Sequence, residues 1–294
     1  MARSGQNVST AHWMISCGVF VSNSSESCRI SSTDNMPALY RHVIPVMYNP
    51  VMNSDVAARL LQINHEFYNR FGDSFSATRQ RLQPGAKKVL SLIQADESVV
   101  DLGCGNGLFL RELLRRGHKA ALLGVDFSLP LLREADSIPG VDFWEMDLVA
   151  LSSQTHQLNM ASGRWAAVTM FATLHHIPSR EIRLGILKGV EKLLKPGGRF
   201  YLSNWQFLNS DKLKARIQPW DRVGLSNEDV EKGDFLLDWR SGGTGLRYAH
   251  QFSEEELLGL AEQVQMKVEA SFLSDGENGR LGLYQVWRRA QVTC

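Results

Sequence analysis

Excess charge is the first thing this sequence lacks. Lys and Arg number 32 and Asp and Glu 31 in 294 residues, a net charge of +1. A uniformly basic nucleic-acid glove is therefore excluded, and any basic surface has to be local. Cysteine is scarce as well. Cys17, Cys28, Cys104 and Cys294 are the four, and no two form a Cys-x-x-Cys pair. That argues against a zinc knuckle, a redox dithiol or any other metal site, and for a reducing, cytoplasmic setting. Long apolar runs are missing too: nothing approaches the roughly 20 residues of a membrane span, so no membrane partner is expected. What is present, 44% hydrophobic and 21% charged residues, suits one large globular domain with appendages.

The first 54 residues read as a leader. Ser and Asn dominate, no helical or strand period persists, and disorder is expected. The apolar run 13–21 has only Arg3 before it and Ser-Asn-Ser-Ser-Glu after it, a poor signal-peptide pattern. Met47 and Met52 stand as candidate start residues. From Asp55 the text changes. Leu60, Ile63, Phe67 and Phe71 recur at helical spacing with polar residues between them, which predicts an amphipathic helix. A short helix follows over 86–92.

Strands and helices then alternate. Strands are expected over 98–103, 120–126, 141–147, 165–172 and 199–205, and helices over 106–116, 129–136 and 180–194. This rhythm predicts an α/β fold with a parallel, doubly wound sheet. Residues 206–250 break the rhythm with Pro219-Trp220, Gly233-Asp234 and a Gly-rich stretch at 241–245. They read as an insertion over the carboxyl edge of the sheet, where such folds bind ligands. Ser253 and Glu256 form a capping-box pattern, and strands over 267–273 and 281–288 complete a hairpin at one edge.

The strongest signal is Asp101-Leu-Gly103-Cys-Gly105-Asn106-Gly107, placed where a strand ends and a helix begins. Glycines let backbone approach a ligand there, and a helix amino terminus favours negative charge. A dinucleotide fingerprint would need glycine at the first, third and sixth positions, but the sixth is Leu108 and glycine comes fifth. Asp126, followed by Phe127, ends the second strand, and Asp147, followed by Leu148, ends the third. Three motifs in register with three successive strands form one candidate cofactor site.

The Asp-x-Gly-x-Gly-x-Gly form, the two later acids and Lys195-Pro-Gly-Gly198 resemble class I S-adenosylmethionine (SAM) dependent methyltransferases. That resemblance implies a Rossmann-like, mainly parallel seven-stranded sheet with an antiparallel edge strand, in the order 3-2-1-4-5-7-6. It implies SAM as cofactor, with Asp126 on the ribose hydroxyls and Asp147 and the Leu148 backbone on the adenine.

A narrower likeness is to the tRNA wobble-uridine carboxymethyl methyltransferases, over about residues 62–287. It rests on Tyr68-Asn-Arg-Phe71 with Phe75-Ser-Ala-Thr-Arg79, on Leu174-His175-His176 with Arg180 and Arg183, on Ser203-Asn-Trp205, and on Gly233 through Trp239 with Arg247-Tyr-Ala-His-Gln-Phe252. The chain departs from the family at Ala249, where a second aromatic is usual, and at Gln83-Pro84, where Trp-Pro is common. The resemblance implies tRNA as substrate and, for the eukaryotic members, a small zinc-binding activator protein as partner.

A carboxylate acceptor is already ionised at neutral pH, so it needs orientation rather than a general base. Arg79 is the sharpest candidate for that, because a guanidinium grips a carboxylate at two points. His175 and His176 follow the fourth strand, and one of them is expected to face the acceptor; Arg247 in the insertion is a further candidate. Trp205, Trp220 and Trp239 are candidates for stacking on a flipped base or for core packing. A small-molecule methyltransferase fits the same cofactor motifs. A catalytically silent SAM-binding scaffold fits them less well, because the Gly-rich loop and both acids are intact.

Overall fold

A computed structural model describes residues 51–77, 81–152 and 163–291 of the chain. The expected leader up to residue 50, and Arg79, lie outside the described residues. The elements, in chain order, begin with α1 (Ser54–Ala77) and α2 (Pro84–Leu90). The alternating run is β1 (Val99–Leu102), α3 (Leu108–Arg115), β2 (Leu122–Asp126), α4 (Leu129–Ala135), β3 (Asp142–Glu145), β4 (Trp165–Phe171), α5 (Arg180–Leu193) and β5 (Leu194–Trp205). The insertion holds α6 (Asp211–Lys214), β6 (Ile217–Gln218), β7 (Asp234–Trp239) and β8 (Gly245–His250). The chain closes with α7 (Glu254–Gln263), β9 (Met266–Ser274) and β10 (Gly282–Arg289).

The main sheet runs β3-β2-β1-β4-β5-β10-β9. It is parallel from β3 to β5, and β10 is antiparallel to both β5 and β9. This is the expected order. β1 and β2 are buried at every position, which is why they read as continuous apolar runs rather than alternating ones. Successive residues still face opposite layers. Val100 and Leu123 join the cluster with Ile186, Val190 and Leu257 of α5 and α7, whereas Val99 and Leu122 join Val89, Leu110 and Leu113 of α2 and α3.

The α1 helix starts on a cap, with the Asn53 side chain accepting from the Asp55 amide at 2.7 Å. Its Leu60, Ile63, Phe67 and Phe71 are buried as the spacing predicts. They do not pack on the main sheet, however. Leu60 and Ile63 meet Trp220, Leu236 and Tyr248, and Phe67 and Phe71 meet Trp239, all in the insertion.

That insertion is a second, antiparallel sheet in the order β6-β7-β8. Its strands escaped the sequence reading for a physical reason: Asp234, Arg247 and His250 are buried alongside Leu236, Leu237 and Tyr248, so no polar–apolar alternation marks a solvent face. Partners make that burial tolerable. Arg183 of α5, 1% exposed, pairs with Glu231 at 2.5 Å and donates to the Ile177 carbonyl at 3.1 Å. Asp234 accepts from the Tyr248 hydroxyl at 2.7 Å and faces His250 Nδ1 at 2.6 Å. Glu256 of α7 faces His250 Nε2 at 3.0 Å. Burial and Arg183 push the His250 pKa down, but its two carboxylate partners outweigh them and it stands above the ordinary value.

Ser253 caps α7 by accepting from the Glu256 amide at 3.1 Å. The capping box is thus half used, its Glu256 side chain turned instead to His250 and Arg183. Among the described residues no helix is long and apolar enough to cross a membrane.

Candidate cofactor and acceptor site

A cavity of about 400 Å3 opens at the carboxyl ends of β1, β2 and β4. The loop after β1 forms its floor. Gly103 has φ +76°, and a Cβ there would stand 2.3 Å from Thr173 Oγ1. Gly105 has φ +55°, and its missing Cβ leaves open space, with nothing nearer than Leu131 at 3.9 Å. The first glycine permits the turn and the second keeps the floor clear. Gly107 does not line the cavity; it caps α3 in a left-handed conformation beneath Ile138 and Phe143.

Asp126 closes the loop from the side. Its Oδ2 accepts from the Gly105 amide and its Oδ1 from the Ser128 amide, both at 2.9 Å. Each oxygen retains a lone pair, so the carboxylate that shapes the loop can also accept from a diol. At the far end Asp147 Oδ1 accepts from the Val149 amide at 2.9 Å, and Oδ2 meets His65 Nε2 at 3.2 Å. Burial raises the Asp147 pKa, yet His65 and the Val149 amide outweigh it and hold the group below its ordinary value. The His65 ring lies over Phe127 at 4.4 Å between centroids. Asp101, Gly103, Gly105 and Asn106 line the same space, as do Asp126, Phe127, Asp147 and Leu148. A nucleoside-sized, polar-edged ligand fits this set.

Asp101 shows what the empty floor costs. Burial raises its pKa from 3.8 to about 7 against the bond from Thr169 Oγ1, 2.6 Å long. Asp126 is raised by burial as well. An acid raised in the folded state holds a proton that the unfolded chain has released, so stability falls as pH climbs from about 4 to about 7. His250 adds to the same trend, since a raised imidazole loses its contribution as pH passes its folded pKa. Asp101→Asn keeps an oxygen for Thr169 and removes one titration. Thermal melts of the cofactor-free protein should therefore fall less steeply across that range in the variant; parallel curves would show that Asp101 is already ionised.

The acceptor candidates separate in space. His176 lines the cavity, whereas His175 does not. His175 is buried, and its Nδ1 accepts from the Trp205 amide at 3.3 Å, steadying the end of β5. Arg247 also stands behind the wall, its guanidinium 4.4 Å from the Trp205 ring centre and 5.5 Å from those of Phe67 and Trp239. Trp205 itself lines the cavity, while Trp220 and Trp239 are core.

The sequence reading missed the wall that α1 builds. Leu61, Asn64, His65 and Tyr68 face the cavity, and their i, i+3, i+4, i+7 spacing is itself a stripe. The signal was there, but it is polar and lies beside the stronger apolar one. Asn64 locks this wall to β8, donating to the His176 and Tyr248 carbonyls and accepting from the Tyr248 amide at 2.8 Å.

Known proteins share this arrangement. The methyltransferase domain family matches residues 74–270. A protein of Encephalitozoon cuniculi named as a methyltransferase is 29% identical over 205 residues, covering 69% of this chain and 87% of that one. Mouse tRNA (carboxymethyluridine(34)-5-O)-methyltransferase ALKBH8 is 28% identical over 182 residues, covering 59% of this chain. The matched region is only 25% of that longer protein. A SAM-dependent methyltransferase of Methanosarcina mazei has the same fold, at a TM-score of 0.55 and 24% identity over 71% of this chain and 99% of that one. So does a Haloferax volcanii methyltransferase in complex with the Trm112 activator, at 0.56 and 15% identity over 78% and 98%. With a matching domain across most of the described sheet and a cradle that suits the cofactor, the chain belongs to the methyltransferase domain family and is a SAM-dependent methyltransferase.

Proposed function

We propose that this enzyme converts the carboxymethyl group of a tRNA wobble uridine to its methyl ester. The observation that carries the reading is a convergence. Tyr68 of α1, His176 after β4 and Trp205 at the end of β5 come from three separate stretches of the resemblance, and all three line one cavity beside the Gly-rich floor. The 28% identity to the mouse enzyme supports the same substrate.

In this reading Asp126 accepts from the ribose hydroxyls, and Asp147 and the Leu148 backbone hold the adenine. The bound cofactor supplies an electrophilic methyl group on a sulfonium, and its transfer to a carboxylate oxygen leaves a neutral ester and a neutral thioether. The protein's work is to fix distance and angle, which lowers such barriers by up to roughly 7–11 kcal/mol. Arg79 belongs to the carboxylate grip, and Trp205 to the base. Arg247 and His175 support Trp205 from behind. A small zinc-binding activator belongs to the reading as a partner, supported by the Haloferax complex.

The test is mass spectrometry of nucleosides from carboxymethyluridine-containing tRNA incubated with the protein and SAM, with and without the activator. The methyl ester should appear, and KM should rise steeply with salt as phosphate contacts release counterions. No ester in either condition would favour the second reading, a small-molecule methyltransferase, for which the net charge of +1 speaks.

A further inference from the structure

We infer that Tyr68 is the group that orients an anionic acceptor in this cavity, with His176 behind it setting the direction in which the Tyr68 hydroxyl donates. The inference rests on the carboxylate reading above and goes beyond it by assigning the donor and its proton bookkeeping.

The argument is one of hydrogen-bond direction. His176 Nδ1 lies 3.0 Å from the Tyr248 carbonyl oxygen. A carbonyl can only accept, so Nδ1 carries a proton in every protonation state. The other nitrogen, Nε2, lies 2.9 Å from the Tyr68 hydroxyl. When His176 is neutral, Nε2 is a lone pair and Tyr68 must donate to it. The phenol then turns only lone pairs to the cavity, a surface that repels a carboxylate. When His176 is an imidazolium, Nε2 donates to the Tyr68 oxygen instead. The Tyr68 O–H is released, and it can donate to one carboxylate oxygen while the other stays free to react.

An anionic acceptor therefore selects the doubly protonated His176 and takes up a proton as it binds. The uncharged ester no longer supports that state, so the proton leaves and Tyr68 turns back, which favours product release. The surroundings hold the pair in register. Asn64 ties α1 to the His176 carbonyl at 2.9 Å, and Phe127 packs edge-on to Tyr68 at 6.0 Å between centroids. Facing His176 are Tyr68 from α1, the His175 ring from its own turn at 4.2 Å between centroids, and the backbone of β8, whose Tyr248 side chain turns away to Asp234.

An acceptor that must lose a proton, such as an alcohol or amine, would need the opposite state: neutral His176, with Tyr68 accepting. The two chemistries thus predict opposite pH dependences from one pair of side chains.

The experiment uses the full chain and an anticodon stem-loop RNA carrying carboxymethyluridine. Calorimetry with S-adenosylhomocysteine present, at pH 8 in two buffers of different ionisation enthalpy, reads proton uptake directly, with the unmodified RNA as blank. Up to one proton should be taken up on account of the carboxymethyl group. In turnover, KM should rise with pH between 6 and 9 by up to tenfold per unit. Tyr68→Phe should raise KM about tenfold to a hundredfold and change kcat less, the loss of one charge-assisted bond. His176→Gln, which cannot titrate, should flatten the KM profile and abolish the uptake. Ester formation with no proton uptake, or with a KM that falls as pH rises, would overturn the Tyr68–His176 assignment while leaving the tRNA reading intact. Absence of both binding and methylation would remove both. The wild-type calorimetry needs no variant, so a poorly folding substitution does not shield the inference.

Discussion

Arg183→Met should cost about 3–5 kcal/mol of stability, the range for breaking one side of a buried ion pair. At about 2–4 °C per kcal/mol for a domain of this size, the melting temperature should drop by roughly 6–20 °C. Methionine preserves most of the bulk beside Phe252, over which the guanidinium now lies at 5.4 Å, so the loss is electrostatic rather than a cavity. What remains after the change is Glu231, buried with no guanidinium at 2.5 Å, and Asp234, left with His250 and the Tyr248 hydroxyl. Glu231 also receives the Arg180 amide at 2.8 Å, so the start of α5 should loosen with it. Arg183→Lys should recover part of the loss, since it restores charge but not the planar fork that reaches Glu231 and the Ile177 carbonyl together. Differential scanning calorimetry decides the matter. An unchanged melting temperature for the methionine variant would show that the network holds nothing together.

Asp126→Ala should weaken SAM binding about tenfold to a hundredfold or more, from the roughly 1.5–3 kcal/mol carried by hydrogen bonds to a charged group. Two losses combine. The carboxylate proposed for the ribose disappears, and so do the bonds that hold the Gly105 and Ser128 amides at 2.9 Å. Asp126→Asn should fall between wild type and alanine, because an amide keeps one acceptor oxygen but turns a donor toward the other amide. Titration calorimetry with SAM reads the series, and thermal melts of the cofactor-free variants separate loop damage from ligand contact. Wild-type affinity in the alanine variant would move the ribose site elsewhere.

The parts of this protein that were legible in the sequence share one property: local chemistry dictates them. The Gly103–Gly107 turn needs backbone that only glycine adopts freely, so its residues announce it. β1 and β2 are buried on both faces and read as such. The strands β7 and β8 were not legible, because their charged residues are inside and satisfied by groups as distant in sequence as Arg183 and Glu256. The same cause hid the assignment of the two histidines. Nothing in Leu174-His175-His176 says which ring turns toward the cavity; the choice is made by Trp205 and Tyr248, which hold one Nδ1 each. His65 and Tyr68 were hidden differently. Their stripe has a helical period, but its meaning depends on which face of α1 the main sheet leaves uncovered.

That uncovered face has an evolutionary corollary. The shared domain begins at residue 74, whereas α1 spans Ser54–Ala77, so the rod bearing His65 and Tyr68 lies almost wholly upstream of what relatives hold in common. The inherited block supplies the cradle for the methyl donor, and an adjoining segment, freer to diverge, furnishes much of the opposite wall. Relatives that align well from β1 onward can therefore differ most in what they modify, and kinship in substrate choice is better traced through the two dozen residues ahead of the shared block than through the block itself.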